Sequence, residues 1–163
     1  MGLSQYTVAK ATDGLSIRKL SALPKAIWAL EADAVAEGFR FLTRLIAEWE
    51  SGANRFERTG ECLLGVIDSG KLVAVGGLSY DPYAGPDVGR LRRVYVARAS
   101  RGRNIGNALV GQLLEHASRQ FRVVRLSTDT PEGAAFYLRC GFELIQDEHA
   151  THARSLGARP SSL

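Results

Sequence analysis

The chain has 163 residues, of which 45% are hydrophobic and 23% charged, and it carries a formal net charge of +4. That length buries one sizeable core and leaves no room for two comfortable ones, so residues 1–163 are expected to form a single soluble globular domain with its core between about 16 and 156. Two isolated cysteines exclude a disulfide frame. MGLSQYTVAK lacks an apolar signal core and no apolar run reaches bilayer length, so a cytoplasmic protein without a membrane partner is expected.

LSIRKL (residues 15–20) reads as a first strand, and LPKAIWALEADAV (23–35) and EGFRFLTRLIAEWES (37–51) read as helices. In the second helix Leu42, Leu45, Ile46 and Trp49 recur at steps of three and four, which puts them on one core-facing side. ECLLGVIDSGKLVAVGGLSY (61–80) is two apolar runs joined by DSGK, a hairpin turn, and GRLRRVYV (89–96) is another strand. Ile105, Leu109, Leu113 and Ala117 then recur every four residues, predicting a helix from about 104 to about 119. RVVRLSTD (122–129) alternates like a strand. Thr130 and Pro131 form a good helix start and Gly141 a good stop, predicting a short helix over 131–140. FELIQ (142–146) and ATHARSL (150–156) are expected to be the last two strands, followed by a mobile tail, GARPSSL (157–163). A front half of hairpins followed by strand–helix–strand crossovers implies a mixed α/β sheet covered by helices on its faces. That order alone assigns no function.

The stretch RGRNIGNALV (101–110) carries more chemistry. A helix beginning near Asn104 or Ile105 offers unpaired backbone N–H groups and the positive end of its dipole. Arg101 and Arg103 add charge, and Gly102 and Gly106 leave room for close approach, so the loop reads as an anion site suited to a pyrophosphate. Its glycine spacing does not fit a dinucleotide fingerprint, which argues against a nicotinamide cofactor. Of the 21 basic residues 17 are arginine, whose fork pairs with phosphate or carboxylate.

VYVARASRGRNIGNALV resembles the signature segment of the GNAT superfamily of acetyl-CoA-dependent N-acetyltransferases, R/Q-x-x-G-x-G/A after a strand, with Arg101, Asn104 and Gly106 at its three fixed positions. Asn104 departs from the family's glycine, and asparagine is the least costly replacement where a left-handed backbone is needed. AAFYLRCGFE resembles the family's late helix and following strand. The resemblance covers about Ser16 to Leu156, with its specific motifs between Val94 and Phe142. It implies a central mixed, mostly antiparallel sheet of about seven strands, splayed in the middle, with about four helices.

The resemblance further implies that the strand backbone of Val94, Tyr95 and Val96 pairs with the pantetheine arm. The loop Arg101, Gly102, Arg103, Asn104, Ile105, Gly106, Asn107 and Ala108 would wrap the pyrophosphate. Phe136 would lie against the cofactor, and Tyr137 would be the acid for the coenzyme A sulfur. Acetyl-CoA is then the cosubstrate and an amine, on a small molecule or a protein, the acceptor; a homodimer is compatible with this reading. The amide of Tyr95 or Val96 would hold the carbonyl oxygen if the strand bulges. GRLRRVYV offers Arg90, Arg92 and Arg93 where many relatives carry a glutamate base, so Glu61, Asp81, Asp87 or a water chain must serve. Tyr80 and Tyr83 could line an acceptor pocket. His149 and His152 would face opposite sides of a strand without a third ligand, so no metal is expected. The arginines lack interleaved aromatics for nucleic acid. The alternative function is a coenzyme A- or nucleotide-binding regulatory module of the same fold without turnover.

Overall fold

The computed structural model describes residues 14–157, so the N-terminal segment and the tail from residue 158 onward lie outside the described residues. Its elements follow the expected order: β1 (Leu15–Lys19), α1 (Ile27–Ala36), α2 (Phe41–Ser51), β2 (Cys62–Asp68), β3 (Lys71–Tyr80), β4 (Val88–Val96), α3 (Ile105–Ala117), β5 (Val123–Leu126), α4 (Pro131–Arg139), β6 (Glu143–Leu144) and β7 (His152–Ser155). One sheet runs β1-β2-β3-β4-β5-β7-β6. All neighbours are antiparallel except β4 and β5, which are parallel and joined through α3.

The local chemistry explains most boundaries. Ser69 and Gly70 both have positive φ, 52° and 86°, between the paired Asp68 and Lys71, which is the two-residue turn a twisted hairpin favours. Thr130 caps α4 by accepting a 3.0 Å bond from the Gly133 amide, with Pro131 at the first helical position. Both early helices start four residues later than expected: Pro24 opens a turn before α1, and Gly38 at φ 92° breaks the chain between α1 and α2. FELIQ contributes only Glu143–Leu144 to the ladder and ATHARSL only His152–Ser155, because the intervening loop departs from extended pairing. His149 therefore lies outside the strand to which it was assigned; its ring stacks on Tyr83 at 3.8 Å.

Two apolar layers flank the sheet. One joins α3 and the β5–β7 side around Leu64, Leu78, Leu109, Leu113, Phe121 and Phe142, with the predicted stripe Ile105, Leu109, Leu113 and Ala117 all buried in it. The other joins α1 and α2 around Leu30, Leu42, Leu45, Ile46, Val75 and Tyr95, with Trp49 packed at its edge. At roughly 25 cal/mol per Å² of apolar surface removed from water, these two layers are the main driving force for folding. Gly76 and Gly77 sit between the layers. A Cβ on Gly76 would stand 3.0 Å from Leu113 Cδ1, and one on Gly77 would stand 2.6 Å from Phe56 Cε1, so the helix and the ring close on opposite faces of β3 only because both side chains are absent.

Candidate active site

Strand β4 changes partners along its length. Its register with β5 comprises Val88, Gly89 and Arg90 against Val123, Val124 and Arg125, and from Leu91 onward the edge that faced β5 is released. On its other edge the pairing with β3 runs Gly77 to Arg92 and then Val75 to Tyr95, so Arg93 and Val94 together oppose Gly76. Arg93 has φ 60° at this bulge. Beyond it, the Ala97 amide donates to Val73 O at 2.8 Å. Alternation then turns the Tyr95 amide towards β3 and the peptide groups of Val94 and Val96 towards the gap. Of the two amides considered for the carbonyl oxygen, only that of Val96 faces the opening.

The loop into α3 is built around two left-handed residues, Gly102 (φ 83°) and Asn104 (φ 61°, ψ 19°). Asn104 takes the backbone expected where the signature has glycine, and the helix proper begins at Ile105. The amides of residues 102–107 have no hydrogen-bond acceptor among the described residues; the first helical bond here is Ala108 N–H to Asn104 O, 3.1 Å. Gly106 sits where a Cβ would lie 3.3 Å from the Phe136 ring and 3.7 Å from Val96 Cγ2. Val94, Val96, Gly106 and Phe136 thus meet along one side of the gap. The free amides and the open strand edge suit an extended ligand ending in a polyanion.

The guanidiniums expected at that anion are held elsewhere. Arg101 donates through Nε to Val96 O at 3.0 Å and through Nη2 to Glu37 Oε2 at 2.7 Å, and it lies over the Tyr95 ring. Arg103 Nη1 donates to Asp68 Oδ2 at 2.7 Å. What these residues turn to the gap is their backbone. Glu37 also accepts with Asp33 around the Tyr95 hydroxyl, at 3.0 and 2.6 Å. Burial, then the Asp33 and Glu37 carboxylates, push the Tyr95 phenol far above its ordinary range. The Tyr95 hydrogen bond and the Arg98 amide hold Asp33 below the usual carboxylate range.

Tyr137 packs by its ring edge against Phe136 (centroids 4.9 Å) and Phe142 (5.6 Å). Its hydroxyl has no partner among the described residues. Burial, with a contribution from Cys140, raises its pKa well above the ordinary range, so the phenol stays protonated at neutral pH. None of the α4 residues is fully buried, whereas α3 buries five; Phe136 and Tyr137 cover the edge of the α3-side core as partly exposed side chains.

The carboxylates considered as bases have other roles. Glu61 accepts from the Arg58 and Tyr80 amides at 3.2 and 2.9 Å. Asp81 is buried and binds Arg90 at 3.1 Å, Arg125 at 3.0 Å and the Tyr83 amide at 2.8 Å. Burial pulls its pKa up, yet the Tyr83 amide and the two arginines outweigh that, and the net shift is downward. Asp87 is exposed beside Arg122, 3.9 Å away. Tyr80 turns into the α3-side core and its hydroxyl accepts from Gln120, while Tyr83 is exposed. His152 is buried, with Nδ1 2.7 Å from Thr151 Oγ1. The sequence reading missed the Tyr95–Asp33–Glu37 cluster; a bulge in β4 was raised only through the resemblance, and its place at Arg93 comes from the sheet pairing.

Residues 25–142 match the family model described as Acetyltransferase (GNAT) family. A candidate acetyltransferase from Exiguobacterium sp. 255-15 has the same fold, with TM-score 0.78, 24% identity and coverage of 86% of this chain and 93% of that one. Two further solved structures share it. One is a GNAT family N-acetyltransferase from Escherichia coli in complex with CoA, with TM-score 0.63, 16% identity and coverage of 91% and 84% of the two chains. The other, from Brucella melitensis in complex with acetyl-CoA, has TM-score 0.66, 18% identity and coverage of 91% and 92%. Glucosamine 6-phosphate N-acetyltransferase 1 of Oryza sativa subsp. japonica is 40% identical over 55 residues, a match spanning 34% of this chain and 33% of the rice protein.

Proposed function

Because the chain belongs to the GNAT acetyltransferase family, we propose that it is an N-acetyltransferase that moves the acetyl group of acetyl-CoA to a primary amine by direct attack in a ternary complex. The observation that carries this is the run of six unpaired amides, 102–107, beside a strand edge released from its neighbour at Leu91. The amides receive the pyrophosphate oxygens, and the backbone of Val94 and Val96 pairs with the pantetheine amides as an added strand would. Gly106 lets the Phe136 ring close on the start of α3, which sets that ring beside the loop that receives the pyrophosphate.

Bound acetyl-CoA supplies a thioester, an acyl group already activated towards an amine. The Val96 N–H stabilises negative charge as it develops on the carbonyl oxygen. Tyr137, kept protonated by burial, gives its proton to the sulfur as the carbon–sulfur bond breaks. With Glu61 and Asp81 held in structural hydrogen bonds and Asp87 paired at the surface, the amine loses its proton to solvent. Cys140 bonds Asn107 at 3.6 Å and Cys62 is buried with its pKa raised to about 12, so neither thiol has the low pKa of an acyl carrier.

The engagement of Glu61, Asp81 and Asp87 elsewhere favours one second reading, a module that binds the cofactor without turnover. Calorimetric titration with acetyl-CoA, then thiol release against a panel of amines that includes glucosamine 6-phosphate, separates the two. Saturable binding with thiol release is the expected result. Binding without release from any amine would favour the module, and absence of binding would overturn both.

A further inference from the structure

Five partly buried arginines of β4, β5 and β7 can be compared by how they are satisfied. Arg90, Arg93, Arg125 and Arg154 are partly buried, and each has hydrogen-bonded partners: Asp81, Ser127 Oγ and His149 O for Arg90; Glu48 for Arg93; Asp81 and Asp147 for Arg125; Cys140 O for Arg154. Arg92, equally half-buried, has no hydrogen bond and no ion pair among the described residues. None of its guanidinium nitrogens is sealed from water, so the fork is charged, unclaimed by the protein and open to a ligand.

Its position gives that something a direction. Arg92 pairs across the ladder with Gly77, whose vacant side faces Phe56, so its side chain lies on the α1–α2 face. It stands two residues past Arg90, where the β4–β5 seam ends, and immediately before the bulge at Arg93 and Val94. The groups that act on it are Arg93, Glu48, Arg90 and the Tyr83 phenol, and burial together with the two neighbouring arginines already lowers its pKa. Around the seam, the carboxylates Asp81, Glu48 and Asp147 are each bonded to Arg90, Arg93 or Arg125, so Arg92 has no bonded carboxylate of its own among the described residues. The Arg93 Nε is buried with no partner as well.

We propose that Arg92 is a specificity-determining residue that binds an oxyanion, carboxylate or phosphate, carried by the acceptor, so that the amines this protein acetylates are anionic. The inference rests on the acetyltransferase reading above and adds the substrate class. The planar fork of arginine takes either oxyanion through two parallel bonds, and its place at the head of the gap holds the charged end of the acceptor while the amine reaches towards the bulge.

The test is thiol release with matched acceptors, glucosamine 6-phosphate against glucosamine and glycine against glycinamide, which also separates phosphate from carboxylate. At least one charged amine is expected to exceed its neutral counterpart by about 10- to 100-fold in kcat/KM, the range for hydrogen bonds to a charged group. That ratio should collapse towards one in both Arg92→Ala and the volume-preserving Arg92→Met, and persist in Arg119→Ala, which removes an exposed cation from beyond the end of α3. Equal use of charged and neutral amines, or a ratio that survives in both Arg92 variants, would overturn the inference. If acetyl-CoA binds but no amine releases thiol, the acetyltransferase reading fails on its own. Titration of inorganic phosphate and acetate into the acetyl-CoA-bound protein then decides: saturable binding abolished by Arg92→Met upholds the anion site, and its absence refutes it.

Discussion

Replacing Asn104 by alanine separates what its backbone does from what its side chain does. The residue stands at φ 61° and ψ 19°, and its side chain makes one exposed contact, a 3.3 Å bond accepted from Asn107 Nδ2, with no capping bond to the helix. A left-handed backbone costs an ordinary L-residue about 1–2 kcal/mol, less for asparagine and nothing for glycine. Alanine should therefore cost about 1 kcal/mol, which divides between global unfolding and local opening of the loop. The melting temperature is expected to fall by up to about 2–4 °C for a chain of this size. Acetyl-CoA affinity should weaken by up to about fivefold as the competent loop becomes less populated. Asn104→Gly should match the wild type within about 0.5 kcal/mol, since the relief of strain is offset by a more flexible unfolded chain. Thermal melts and calorimetric titration of the three proteins measure both quantities. An alanine variant indistinguishable from wild type would refute the claim that the left-handed conformation aims the amides. A glycine variant with much weaker binding would show that the side chain itself meets the ligand.

Tyr137→Phe removes the proposed acid while keeping the ring packing against Phe136 and Phe142. Its kcat should fall by about 100-fold or more with acetyl-CoA affinity changed less than about twofold, and equal turnover would return Tyr137 to a packing role. Asp81→Asn leaves Arg90 and Arg125 without their shared buried carboxylate, and should destabilise the fold by about 3 kcal/mol in chemical denaturation. The pH dependence follows from the sign of the shift. The folded pKa of Asp81 lies below the ordinary aspartate value of 3.8, so its contribution is complete above that value and is lost as pH falls through the folded pKa. The acid-side decline in melting temperature should therefore be shallower in Asp81→Asn; an unchanged slope would contradict the assignment.

The parts of the fold governed by local pattern were legible in the sequence. The spacing of Ile105, Leu109, Leu113 and Ala117, the Thr130–Pro131 start and the DSGK turn depend on neighbours within a few residues, and each is found where expected. The gap was reached through the resemblance, and the left-handed Asn104 through the glycine it replaces. Partners distant in sequence were hidden. Arg101 and Glu37 are 64 positions apart and Tyr95 and Asp33 are 62, and no periodicity says that these charges meet. Hence the sequence indicated that the loop was basic without showing that its guanidiniums face α1 and the β2–β3 turn. Arg93 was hidden for a different reason: a non-glycine residue at φ 60° is imposed by the pairing of its strand, which only the assembled sheet reveals.

The short seam between β4 and β5 has a consequence for cooperativity. Strands β1 to β4 pair in sequential antiparallel fashion, whereas β5, β7 and β6 form a second ladder joined to the first through the register at Val88–Arg90. The first block is dominated by contacts between consecutive elements and should gather quickly, while the second waits on the loop closure through α3. The two ladders are thus expected to open as two unequal foldons, held together by the shared α3-side core and by the buried Asp81 between Arg90 and Arg125. A ligand bonded to the open edge of β4 on one side and packed against α4 on the other stitches the two blocks together. In native-state hydrogen exchange, slow opening of the β5–β7–β6 ladder independently of β1–β4 is expected without acetyl-CoA, merging into one cooperative unit when it is bound.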